Sequence, residues 1–268
     1  MHMLYIGILS ILLYLLASGL LFVRMLRRGE ELFIGRNGIL VIGLAAAMLH
    51  AVVLYPALFT PAGINLGFSN AASVVGLLTA LLLLIASFGR PLANLGVALL
   101  PFAAFTLGMM LAFPAPERTT EPGNWQLDLH ILLSIMAYSL FAIAAVQAIL
   151  LAIQDHQLRA RRPGGILRAL PPLQTMEDLL MQLILAGFVL LTLALLTGFF
   201  FLEDIFAQHL VHKTVLSITA WLVFATLLWG RWKFGWRGRT AIRWTLGGYI
   251  ALMLAYFGSK LVLELVLA

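Results

Sequence analysis

The chain has 268 residues, of which 62% are hydrophobic and only 10% charged. A soluble domain carries about 25% charged residues, so too little polar surface is present to coat a water-soluble globule. The net charge of +6 comes from basic residues in short loops between apolar runs, which points to membrane orientation and anionic lipid headgroups and excludes a nucleic-acid partner, while the absence of cysteine excludes disulfides, thiolate metal sites and thioether-linked cofactors.

A helix needs about 20 apolar residues to cross roughly 30 Å of hydrocarbon. The first apolar run, 4–23, has no basic segment before it and no small-residue cleavage pattern after it, and reads as a retained helix rather than a signal peptide. Further runs fall at 38–56, 70–88, 91–113, 129–153, 179–202, 213–230 and 241–267, each broken by Pro, Gly or charged residues. The expected fold is all-α, a polytopic transmembrane bundle of about eight helices forming a single integral membrane domain over 1–268. Only Gly89-Arg90-Pro91 separates the third and fourth spans, which predicts a tight antiparallel hairpin. Within 154–178, a short surface helix is expected after Pro171-Pro172, started by Thr175-Met176-Glu177-Asp178.

If the N-terminus lies outside, the inner loops hold 14 of the 17 basic residues, all but Arg118, Lys213 and Lys260. Lys and Arg in short loops set orientation, so both termini are expected outside. His50, in the second span, is the one histidine plainly within the hydrocarbon. It lies five residues, roughly 7.5 Å of helix, from Tyr55 at the outer end. His130, Ser134 and Tyr138 repeat at four-residue spacing and share one face of the fifth helix. His209 and His212 sit in and after the outer loop, while His156 and His2 read as surface residues.

Intramembrane polar groups are costly, and each allows two readings. A neutral imidazole facing a bundle core is a natural metal or haem ligand. It is equally a buried histidine hydrogen-bonded to Ser, Tyr or a carbonyl. Trp229, Trp232, Trp236 and Trp244 read as an inner aromatic belt and Trp125 as a headgroup anchor. Tyr249, Met253, Tyr256 and Lys260 form a second polar stripe on the last span.

Several segments together resemble the cytochrome c assembly superfamily of haem-handling membrane proteins, in its CcsA-like, YpjD/HemX-type branch. They are Leu49-His50-Ala51, the stretch from His130 to Ser139, the stretch from Lys213 to Trp221, Gly235-Trp236-Arg237-Gly238-Arg239, and Ala255-Tyr256-Phe257-Gly258-Ser259. The resemblance implies an eight-helix protein of the bacterial cytoplasmic (inner) membrane that presents haem b near the outer face. It implies His50 and His130 as haem iron ligands, with Ser134, Tyr138 and His212 completing a cofactor site. The implied partners are membrane lipids and other cytochrome c assembly proteins or an apocytochrome. The chain departs from the family pattern in two places: 203–212 contains no Trp, and Glu264 stands where a second outer histidine is expected. A haem-free scaffold or assembly factor of the same fold is therefore the alternative, and a small-solute transporter a third, poorly supplied with intramembrane charge. No catalytic residues are evident.

Overall fold

The computed structural model describes residues 2–27, 34–115, 124–160, 170–201 and 211–258. They form eight α-helices: α1 (His2–Leu26), α2 (Arg36–Leu58), α3 (Phe68–Gly89), α4 (Gly96–Ala112), α5 (Trp125–Arg159), α6 (Leu173–Phe201), α7 (Val211–Phe234) and α8 (Gly238–Met253). The first seven, with α4 counted from Ala93, are long and apolar enough to cross a membrane. After α8 the helix widens into a π turn at Leu254–Gly258, and the rest of the expected eighth span lies outside the described residues. The chain is thus an all-α, multi-pass membrane protein.

Most helices run a few residues past the expected spans, because hydropathy marks the hydrocarbon boundary while backbone hydrogen bonding continues beyond it. The 3₁₀ turn Ala93–Leu95 shortens the start of α4, and the α3–α4 hairpin turns at Arg90 as expected. One expectation is overturned. The surface helix after Pro171-Pro172 is not a separate element, since Leu173 begins a continuous α6 and Glu177 and Asp178 lie in its second turn. Both carboxylates fit near the start of a helix, and each has a partner on the α7–α8 segment. A small hairpin that the sequence reading missed pairs β1 (Phe59–Thr60) with β2 (Gly63–Ile64) between α2 and α3.

The chain divides into two compact units, one of 1–123 with 161–172 and one of 124–160 with 173–268. In the first, α1 packs on α2 and α4, and α3 packs on α2 and α4. Without a hydrophobic driving force between helices in lipid, close approach depends on small residues. A Cβ on Gly7 would stand 2.6 Å from Leu111, and one on Gly43 2.8 Å from Leu84. Ser10 donates to the Ala46 carbonyl (2.8 Å) and Ser18 to that of Val97 (3.1 Å), tying α1 to both neighbours.

In the second unit α5 packs along α6 and α8, and α7 along α6 and α8. Phe141 of α5 and Phe224 of α7 stack at its centre with ring centroids 3.9 Å apart. Glycines make room for the stack: a Cβ on Gly187 of α6 would stand 3.0 Å from Phe141, and one on Gly248 of α8 2.8 Å from Phe224. Gly247, its neighbour, faces open space. Gly248→Val is therefore expected to destabilise the protein by about 1–3 kcal/mol through overpacking. Gly247→Val should cost much less, a contrast that thermal unfolding of the two purified variants in detergent measures.

Candidate functional site

His50 lies in α2 with no exposed surface. Its Nε2 is 2.8 Å from Ser73 Oγ on α3, and its Nδ1 is 3.4 Å from Tyr14 Oη on α1. Tyr14 is itself fully buried and meets the imidazole edge-on, with ring centroids 5.9 Å apart. A neutral imidazole offers one donor and one acceptor, and a hydroxyl can play either role, so both nitrogens are satisfied in either tautomer. His50 thus joins α1, α2 and α3 through one polar hub. An iron atom would have to displace Ser73 to reach its Nε2.

The hub is placed by residues that the sequence reading did not single out. Tyr14 falls one turn after Ser10 and one before Ser18 on the same buried stripe of α1. Ser73 is set on α3 by the β1–β2 hairpin. There Asn65 Oδ1 accepts from Gly67 N (3.0 Å), and the Asn70 amide donates to the Ala57 (2.9 Å) and Asn65 (3.2 Å) carbonyls. A polar residue every third or fourth position on α1 and α3 was the available signal.

His130 is arranged differently. It sits half-buried in the second turn of α5, whose start is capped by Asn124 Oδ1 accepting from Leu127 N (3.1 Å). Its Nδ1 is 2.8 Å from the Ala194 carbonyl oxygen on α6 and 3.3 Å from Thr197 Oγ1. A carbonyl only accepts, so Nδ1 carries the proton and the lone pair of the neutral ring is on Nε2. Thr197 donates to the same Ala194 oxygen (2.9 Å), holding the acceptor in place. An Nδ1–H anchored on a backbone carbonyl is the usual outer contact of a metal-binding histidine, because it fixes both tautomer and ring plane.

Of the other predicted site residues, Ser134 is half-buried one turn below His130. Tyr138, one turn further, is buried and donates to the Leu252 carbonyl of α8 (2.7 Å). Its ring meets Tyr256 and Phe257 of the π turn, with centroids 5.9 and 6.3 Å away. The stripe from His130 to Tyr138 therefore runs from α6 contacts to α8 contacts, with Lys213 of α7 placing its Nζ 6.0 Å from the Tyr256 ring centroid. Tyr249 and Tyr256 of the polar stripe are half-buried, whereas Lys260 and His209 lie outside the described residues and the His212 side chain lies outside the described side chains. His2 and His156 are exposed, as expected. No group of three or more His, Cys, Asp or Glu side chains able to hold a metal ion occurs among the described residues.

Ser73→Ala removes one partner of a fully buried imidazole and is expected to cost about 1–3 kcal/mol. Tyr14→Phe, which removes the longer contact, should cost less. Equal stability of Ser73→Ala and the unaltered protein in a detergent unfolding titration would contradict the hub.

Over residues 39–267 the chain matches the family described as Cytochrome C assembly protein. It is 33% identical over 237 residues to the inner membrane protein YpjD of Escherichia coli K12, covering 86% of this chain and 88% of that protein. It is 24% identical over 190 residues to the cytochrome c biogenesis protein CcsA of Synechococcus sp. CC9902, covering 62% of each chain. Protein HemX of Brevibacillus brevis is 21% identical over 131 residues, 48% of each chain. No solved structure matches.

Proposed function

Because the chain belongs to the Cytochrome C assembly protein family, and is thus a membrane protein of the cytochrome c biogenesis type, we propose that it handles haem b as cargo and engages the iron through His130. Its location is the inner membrane, the one named for the E. coli relative. The observation that carries the reading is the Ala194 carbonyl accepting from Nδ1 of His130, which leaves Nε2 as the basic nitrogen. Haem, when bound, would supply an iron centre for such a nitrogen to ligate. What this chain's residues do is hold the ligand ready. Ala194 and Thr197 fix the imidazole, Tyr138 ties α5 to α8 below it, and Ser134 lies between them on the same face. His212, the second residue of α7, is the candidate for a further contact to the cargo.

His50 has a different role in this reading. Its two nitrogens are engaged by Tyr14 and Ser73, so it supports the packing of α1, α2 and α3. Outward presentation of haem belongs to this reading, supported by the basic loops expected inside, since His130 then lies towards the outer leaflet. Recipients in this reading are an apocytochrome or a partner assembly protein.

A second reading, a haem-free scaffold or assembly factor, is favoured by one observation: 203–212 has no Trp. The absorption spectrum decides between them. Protein purified from haem-replete cells should show reduced-minus-oxidised b-type bands, and His130→Ala should abolish or shift them. Thr197→Val should perturb them mildly, while Ser73→Ala should leave them in place. Colourless protein, or bands indifferent to His130→Ala, would favour the scaffold.

A further inference from the structure

The end of the second unit opposite His130 is tied together by charged and backbone contacts. There the C-terminal ends of α5 and α7 meet the N-terminal ends of α6 and α8. Glu177 Oε1 accepts from Gly238 N (2.9 Å). Arg231 donates to Asp178 (3.0 Å) and to the Trp236 carbonyl (3.3 Å). Asp155 pairs with both Arg159 (3.0 Å) and Arg239 (3.4 Å). The α7–α8 turn bends at Gly235 and Gly238, with φ of +66° and +53°, a region costly for residues with a Cβ. Trp236 folds back over Gly230, where a Cβ would collide with its indole, and contacts Trp244 at 5.6 Å.

This framework sorts the cations. Arg159, Arg231 and Arg239 each have a carboxylate, and the three acidic residues at this end are all used. Lys233, Arg237 and Arg243 are exposed and have no carboxylate partner among the described residues. Exposed aromatic rings lie in the same 229–243 segment: Trp232, at 82% exposure, with Trp229 and Phe234. Trp232, Lys233 and Phe234 occupy the last turn of a helix long and apolar enough to span the membrane, so they stand at the depth where hydrocarbon gives way to headgroups. Arg243 lies five residues, about 7.5 Å, along α8 from Gly238.

We propose that the α7–α8 turn is a binding site for the phosphodiester of an anionic glycerophospholipid. Lys233, Arg237 and Arg243 take the phosphate charge, and Trp229, Trp232 and Phe234 lie against the glycerol and upper acyl region. Charge complementarity selects the occupant. The site presents three uncompensated cations beside amphipathic rings at the membrane surface, which fits a negatively charged lipid rather than a zwitterionic one or a soluble anion. The fixed carboxylates position the turn, so that the backbone carrying the free cations is already ordered before binding.

The test uses the full chain purified in neutral detergent, titrated with brominated phosphatidylglycerol or brominated phosphatidylcholine, with tryptophan quenching as readout. Phosphatidylglycerol should quench at a far lower mole fraction. Each of Lys233→Gln, Arg237→Gln and Arg243→Gln should weaken it about fivefold, and the triple variant roughly a hundredfold. The single variants keep the test valid if the triple variant folds poorly. Arg24→Gln with Arg27→Gln and Arg36→Gln, an equal charge loss in the first unit, should leave quenching unchanged, as should excess glycerol 3-phosphate. Equal quenching by both lipids, an equal loss in the first-unit control, or displacement by glycerol 3-phosphate would each overturn the proposal.

Discussion

Hydrocarbon offers no hydrogen-bond partner, and a polar group that enters it is costly unless it finds one inside the protein. The arrangement of this chain follows from that constraint. Ser10 and Ser18 are answered by carbonyls of neighbouring helices, His50 by two hydroxyls, Gln147 by the Met176 carbonyl and Tyr138 by that of Leu252. Each contact joins two helices. Polar side chains are therefore one specific element of the packing, beside the glycines that seat particular Leu and Phe side chains.

The two principal histidines show how the same constraint leads to different chemistry. His50 meets two hydroxyls, which donate or accept as needed, and its imidazole has no lone pair to spare. His130 meets a backbone carbonyl, which only accepts, and this puts the lone pair of the neutral ring on Nε2. The two imidazoles differ here in which ring nitrogens their neighbours engage: both in His50, Nδ1 in His130. Family membership sets the expectation of haem handling, and the neighbours distribute the roles.

At the other end of the second unit, carboxylates and cations sit where water and headgroups reach them, and each exposed pair contributes little stability. Their effect is geometric. Asp155, Glu177 and Asp178 hold the ends of four helices in place, and what they leave unpaired defines the charged face.

Membrane residence, helix number and the α3–α4 hairpin were legible in the sequence, because hydropathy over 20 residues and Gly-Pro breaks report directly on transfer into lipid. The shared face of His130 and Tyr138 was legible too, from helical spacing alone. The unbroken start of α6 was not, since Glu177 and Asp178 look like a helix start until Gly238 and Arg231 are seen to answer them. Nor were Tyr14, Ser73 and Ala194, which lie 36, 23 and 64 residues from the histidines they contact. The sequence by itself determined which groups had to be satisfied inside the bundle. Only the tertiary structure decided which partner satisfied each, because a hydrogen bond between helices depends on rotation and depth that no local pattern encodes.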